Sequence, residues 1–235
     1  MIIKNFLHQV KNTNLFDKYF YFGEKFIDKE IEPYLNYDNG FFVELGANDG
    51  KNQSNTLYFE KFRNWKGVLV EPSPNNYINC LKVRSPETRV FCNACVSFDF
   101  NDKFVEMHYD NLMTAGLNIE RDIEGSDPDI NIVGRPGKKL DIRYNYGAIP
   151  ATLNSILKLS NAPKIVDFLS LDVEGAEIEV LKGVDHNEFR FKYMLIECRD
   201  IVIMTKFLDN LDYCFVKKIN SHDYLFQDGR VKDRK

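Results

Sequence analysis

The chain has 235 residues, 44% of them apolar and 28% charged, with 31 basic against 35 acidic side chains and a formal net charge of −4. That balance is ordinary for a folded domain with a sizeable core and argues against wholesale disorder. The slight acidic excess gives no basic footprint, so no nucleic-acid partner is expected. No apolar run approaches the roughly 20 residues needed to cross a bilayer, so no membrane span is expected. Met1 to Val10 is interrupted by Lys4, Asn5, His8 and Gln9 and does not read as a signal peptide. The cysteines, at 80, 92, 95, 198 and 214, are too scattered for a disulfide framework. The expectation is a cytoplasmic protein with buried, reduced thiols. Cys92 and Cys95 form a CxxC, but they fall in a predicted strand, where residues three apart face opposite sides, and no second pair completes a metal site.

Residues 1–39 carry Phe6, Leu7, Val10, Leu15, Phe16, Tyr19, Phe20, Phe26, Ile27 and Ile31. This spacing predicts one or two amphipathic helices, an N-terminal extension leading into a domain over 40–235. Phe41 to Leu45 reads as a strand running into a glycine loop, Gly46 to Gly50. A helix over Ser54 to Phe62, a strand over Gly67 to Val70, a helix over Asn75 to Val83 and a strand over Arg89 to Val96 follow. This β-α-β-α-β rhythm with short connections predicts a parallel sheet with helices on both faces.

Phe98 to Tyr109 reads as a hairpin turning at Asn101-Asp102. Residues 110–148 are polar and rich in glycine, proline and aspartate, with weak periodicity, and read as a functional or mobile insertion. Within it an acidic half, Glu120 to Asp129, precedes a basic cluster of Arg135, Lys138, Lys139 and Arg143, either a lid for an anionic acceptor or a solvated loop. Thr152 to Leu159 is a predicted helix, Val166 to Leu171 a strand, and Gly175 to Lys182 a helix capped by Gly183. Tyr193 to Ile196 is a strand, and Ile201, Met204, Leu208 and Leu211 mark a helix. Tyr213 to Ile219 and Tyr224 to Gln227 form a closing hairpin.

Open parallel sheets bind ligands beyond the carboxyl ends of their strands, where the strand order reverses. Here those ends carry Glu44-Leu45-Gly46-Ala47-Asn48-Asp49-Gly50, Glu71, Asp172-Val173-Glu174-Gly175 and Glu197. An acidic rim is a poor cradle for the phosphates of a dinucleotide. The loop also lacks the G-x-G-x-x-G spacing, and no Walker lysine motif is present. Glu71 lies about where a doubly wound fold presents an acid to ribose hydroxyls. S-adenosylmethionine, with a sulfonium, an ammonium, a carboxylate and a ribose, answers each of these features.

Three blocks resemble the FkbM family of S-adenosylmethionine-dependent methyltransferases. The first is Phe42 to Gly50 followed by Ser54-Asn55-Thr56, the second Trp65 to Pro74, the third Leu171 to Gly183. Their order and separation match over roughly Phe41 to Glu197. The resemblance implies an α/β, class I methyltransferase (Rossmann-like) fold: a doubly wound sheet, mostly parallel with an antiparallel C-terminal strand. It implies that Glu44, Gly46, Ala47, Asn48, Asp49, Gly50 and Ser54 hold the methionine part of the cofactor. It implies that Glu71, Pro72 and Ser73 meet the ribose, and that Asn93 and Ala94 border the adenine. Asp172 would sit where the methyl group is presented.

Methyl transfer to oxygen is an in-line displacement on a weak nucleophile, so positioning and a base both help. Asp172 and Glu174 are the candidate catalytic carboxylates, with Glu174 equally readable as a helix cap. Glu177 reads as a solvated or dipole-stabilising acid. His108 and His222 are the histidines to test first. Glu197 could join Asp172 and Glu174 around a divalent ion, a metal to which the sequence does not commit. The expected activity is O-methylation of a hydroxyl on a sugar or glycan. A small-molecule natural product as acceptor, or a catalytically silent cofactor-binding interaction module, are the alternatives. A nicotinamide dehydrogenase fails for want of a phosphate loop.

Overall fold

The computed structural model describes residues 17–110, 113–120 and 143–231. In chain order the helices are α1 (Asp17–Phe20), α2 (Ile27–Ile31), α3 (Leu57–Arg63), α4 (Pro74–Val83), α5 (Leu153–Leu159), α6 (Glu177–Leu181) and α7 (Ile201–Asp209). The strands are β1 (Phe41–Leu45), β2 (Lys66–Val70), β3 (Arg89–Phe91), β4 (Ala94–Val96), β5 (Val105–Tyr109), β6 (Ala115–Gly116), β7 (Tyr144–Ala148), β8 (Pro150–Thr152), β9 (Ile165–Leu171), β10 (Arg190–Glu197), β11 (Tyr213–Lys218) and β12 (Asp223–Asp228).

The central sheet has seven strands in the order β11-β12-β10-β9-β1-β2-β3. Strands β10, β9, β1, β2 and β3 run parallel, and β12 runs antiparallel to both β10 and β11. The order reverses between β1 and β9. This is the class I methyltransferase sheet that the resemblance implies, with its final strand antiparallel.

Period-2 alternation along the strands divides the core between the two faces. Val43 and Leu45 of β1, Leu169 and Leu171 of β9, and Met194 and Ile196 of β10 pack on one face with α5, α6 and α7. Phe42, Phe168, Tyr193 and Leu195 pack on the other, with Tyr58 and Phe59 of α3 and Cys80 of α4. Residues 1–16, with Phe6, Leu7, Val10, Leu15 and Phe16 of the predicted N-terminal helices, lie outside the described residues; within 17–39 the described α-helices are the short α1 and α2. Tyr21, Ile27, Ile31 and Leu35 are buried in this second face. Glu32 holds them there, accepting hydrogen bonds from Tyr21, Tyr58 and Arg63.

Beyond shifts of a few residues at element ends, three features differ from the sequence reading. The strand expected over Arg89 to Val96 is two strands in different sheets. β3 pairs with β2 as far as Phe91–Val70, beyond which β2 turns away at Glu71-Pro72 and proline offers no N–H. The chain then crosses to pair β4 with β8. The hairpin over Phe98 to Tyr109 does not form. β5 instead pairs with β7 and β6, drawn from the segment read as an irregular insertion. That pairing buries Val105, Met107 and Ala148 against Ala94 and Val96, a long-range gain no local turn provides. Gly183 is not a left-handed helix cap. A Cβ there would sit 2.1 Å from the carbonyl oxygen of Val96, so close approach of two backbones requires the glycine.

Residues 121–142 lie outside the described residues, and with them most of the acidic stretch and Arg135, Lys138 and Lys139. Arg143 is paired with Asp110 at 3.0 Å. No helix among the described residues is long and apolar enough to cross a membrane. The cysteines are all free, but Cys214 is exposed and Cys92 half-buried, so the expectation of buried thiols holds for Cys80, Cys95 and Cys198 alone.

Candidate active site

The register of the sheet builds the site. Leu45 of β1 lies opposite Val70 of β2 and Leu171 of β9, and Leu171 lies opposite Ile196 of β10. The next residue on each strand is therefore Glu197, Asp172, Gly46 and Glu71, side by side at the carboxyl edge. Adjacent strands are about 4.8 Å apart, so Glu197 and Asp172 are immediate neighbours. Gly46 stands between Asp172 and Glu71, at the point where the strand order reverses. It has φ +75°, and a Cβ there would lie 1.8 Å from the Asp172 carbonyl oxygen, so only glycine fits.

A cavity of about 380 Å³ opens over this edge. Of the residues expected at the cofactor or the chemistry, Glu44, Gly46, Ala47, Asn48, Ser54, Glu71, Pro72, Asn93, Ala94, Asp172 and Glu174 line it, together with Glu197. Met107, Met113, Thr114, Gly116 and Ile119 close one side, from the β5–β6 region. Glu24, Asn52 and Gln53 close another, where Gly23 and Gln53 form a parallel bridge. No Lys, Arg or His is among these described lining residues.

Glu71 is 4% exposed. One carboxylate oxygen accepts from the Asn48 backbone N–H at 2.8 Å and the other from that of Ser73 at 2.9 Å. Burial nevertheless dominates and pushes its pKa up to about 7, against the lowering effect of these N–H groups and of Asn76. Asn48, at φ +46°, is clamped in turn by Asn76 and by the Cys80 thiol.

At the other end Asp172 and Glu197 stand next to each other on adjacent strands, one position beyond the Leu171–Ile196 pair. Burial first, then the charges of Glu197 and Glu174, hold the Asp172 carboxyl well above the usual range. Two carboxyls this close favour a state in which they share a proton. Glu174 adopts a left-handed backbone, φ +58°, and approaches Arg199 at 3.9 Å. It does not cap the following helix, which begins at Glu177 after Ala176. Glu177 is not solvated, being 1% exposed, but it is an acid in the first turn of α6, and its carboxylate accepts from the N–H groups of Val173 and Gly175. It thereby folds the Asp172–Gly175 turn from beneath.

Glu44 differs from the other acids. It precedes the row by two positions on β1 and lies opposite Leu69 and Ser170 inside the sheet. One oxygen accepts from the Asn55 N–H at 2.9 Å. The other accepts from Ser54 Oγ at 2.9 Å, Thr56 Oγ1 at 2.5 Å and Arg84 Nη1 at 3.1 Å. Glu44, expected to help hold the methionine part of the cofactor, lines the cavity but is already engaged by the Ser54-Asn55-Thr56 block. Arg84, buried at the end of α4, went unnoticed in the sequence.

Three expected cofactor residues are not among those lining the cavity. Asp49 turns back to accept from Lys51, Asn52 and the Asn52 amide, fixing the loop. Gly50, φ +79°, lies against Cys80. Ser73 offers its N–H to Glu71 and begins α4. Neither candidate histidine lines the cavity. His108 alternates away from Met107 on β5 and contacts Asn145 at 2.7 Å. His222 is exposed in the β11–β12 turn, where its carbonyl accepts from Cys198. Among the described residues no group of three or more His, Cys, Asp or Glu side chains is placed to hold a metal ion.

No curated protein sequence matches this chain. Among solved structures it is similar to precorrin-6y C5,15-methyltransferase from Geobacter metallireducens GS-15, at 11% identity over 85% of each chain with a TM-score of 0.42. The family model described as the methyltransferase FkbM domain matches residues 44–215, from the carboxylate of β1 to the penultimate strand. That span takes in every strand end that borders the cavity, and the chain belongs to the FkbM methyltransferase domain family.

Proposed function

We propose that the protein is an S-adenosylmethionine-dependent O-methyltransferase acting on a hydroxyl of a sugar or glycan, with residues 40–235 as the catalytic domain and 110–148 as a substrate-loop insertion. The observation that carries this reading is the row Glu197–Asp172–Gly46–Glu71 at the strand-order reversal, bordering one cavity. A volume of about 380 Å³ is within the range of small-molecule sites. The residues fit the cofactor. Each oxygen of Glu71 takes one backbone N–H and keeps acceptor capacity for a ribose hydroxyl. Gly46 lets the backbone approach closely, and the acidic lining suits a cationic donor.

When bound, S-adenosylmethionine supplies an electrophilic methyl group. The chain's own residues do the rest. Gly46 to Asn48 and Glu71 orient the donor, and Asn93 and Ala94 border its adenine. The Asp172–Glu197 pair, holding one proton and one negative charge between them, takes the proton from the acceptor hydroxyl as its oxygen attacks, with Glu174 beside it. A raised pKa makes a carboxylate a better base at neutral pH. The sugar or glycan acceptor rests on what members of the family modify, natural-product hydroxyls included. Free cysteines support a reducing, cytoplasmic setting.

Titration calorimetry with S-adenosylhomocysteine, followed by turnover with labelled donor on a panel of sugars, glycans and hydroxylated small molecules, tests the reading. Saturable binding and label on an acceptor oxygen are expected. Absence of binding sinks it, and binding with no product on any acceptor favours a silent module.

A further inference from the structure

Arg84 belongs to no part of the cavity wall, yet the loop that borders the cavity is assembled around it. Its side chain is 0% exposed. Nη1 donates to Glu44 at 3.1 Å and to Gly50 O and Ser54 Oγ, each at 3.3 Å. Nη2 donates to Thr56 Oγ1 at 2.9 Å, and Nε to Glu60 at 3.0 Å. The guanidinium lies 5.1 Å from the Phe42 ring centroid, directly over the root of β1. One cation therefore gathers β1, the end of the glycine loop, the Ser54–Thr56 turn and α3.

Two things tie this cluster to ligand binding rather than to folding alone. Its partners Glu44 and Ser54 both line the cavity, so their positions set its shape. Its bond to Gly50 O closes the same loop whose Asn48 N–H holds Glu71. A guanidinium has the planar, multiply donating geometry these contacts need, whereas an ammonium cannot reach them all at once. A buried carboxylate also requires a compensating partner.

We propose that Arg84 is a positioning residue for the methyl donor: it acts through Glu44 and Gly50 to hold the cofactor loop in its binding geometry. This rests on the cofactor reading above.

The test is calorimetry with S-adenosylhomocysteine on the full chain. The set is wild type, Arg84→Lys, Glu44→Gln and their double variant, with Arg190→Lys as a control. Arg190, its side chain 10% exposed, pairs with the fully buried Asp228 at the start of β10, the opposite end of that strand from the cavity. Arg84→Lys is expected to lose about tenfold or more in affinity, the weight of one or two charge-assisted hydrogen bonds. Arg190→Lys, although also destabilised in thermal melts, should stay within about twofold of wild type, the scatter expected of a remote site. The double variant should bind no worse than the poorer single variant. Equal effects of Arg84→Lys and Arg190→Lys, or additive losses in the double variant, overturn the inference while the cofactor reading stands. Wild type that takes up no S-adenosylhomocysteine overturns both. Should Arg84→Lys fail to fold, Thr56→Val, which removes a hydroxyl bonded to both Arg84 and Glu44, is expected to give the smaller loss of the same kind. Unchanged affinity in that variant counts against the proposal.

Discussion

Raising the pH from 6 to 8 should tighten S-adenosylhomocysteine binding through Glu71. Burial lifts this carboxyl to about 7. In the proposed binding mode ribose hydroxyls donate to the ionised form of Glu71, which makes the competent fraction about one-tenth at pH 6 and about nine-tenths at pH 8. Apparent affinity scales with that fraction, which gives about a tenfold gain across the two units. Folding stability runs the other way. A carboxyl whose folded pKa exceeds its unfolded value of 4.5 penalises the fold above pH 7, and the penalty is relieved as pH falls toward 4.5, by about 3 kcal/mol at the limit. Calorimetry at pH 6, 7 and 8 in buffers of different ionisation enthalpy reads both affinity and proton release. Glu71→Gln cannot titrate and should bind weakly, with the pH slope flattened. A slope that survives in Glu71→Gln, or wild-type affinity flat over this range, refutes the assignment of ribose recognition to Glu71.

Gly46→Ala places a methyl group 1.8 Å from the Asp172 carbonyl at φ +75°. It should cost at least about 2 kcal/mol in denaturant unfolding, from the left-handed conformation plus the clash, and abolish S-adenosylhomocysteine uptake. Asp172→Asn removes one of two abutting carboxyls, so the melting temperature should rise near neutral pH. Its kcat on a productive acceptor should fall by about 10² to 10⁴; a variant less stable than wild type would contradict the crowding of Asp172 against Glu197. His186 is buried beside Tyr213 and Leu181, and burial depresses its pKa to about 4. The unfolded chain takes the proton first, so unfolding free energy should drop by up to about 3 kcal/mol between pH 6.5 and pH 4. Melting curves of His186→Gln should lack that acid limb.

The strand ends were readable because β1, β2, β9 and β10 are short apolar runs that stop at Gly46, Glu71, Asp172 and Glu197. Periodicity locates such stops, and the parallel register then aligns them without further information. Arg84 was not readable. A lone arginine closing a predicted helix has the pattern of a solvated C-terminal charge, and its partner Glu44 is distant in the chain. The burial of Glu177 was missed for a related reason: its spacing marks the first turn of a helix but not that the preceding turn folds over it. The break between β3 and β4 is invisible locally, since Val90-Phe91 and Cys95-Val96 have equal strand character. The absence of a continuing partner beyond Val70 and the presence of β8 decide it. Of the long segment after β4, the strands β6 and β7 exist because β5 recruits them, and the two-residue β6 has no signature of its own.

The departure of β4 from the central sheet also separates duties. The carboxylate row is carried by strands that never pair with β4 to β8, and the smaller sheets furnish the thioether and aliphatic wall opposite it. The alignment of the donor-side row is thus set by backbone pairings in which β4 to β8 take no part. A selectivity for new acceptors, introduced in those strands by exchange of segments, would meet a methyl-donor platform whose own strand pairings are unaltered.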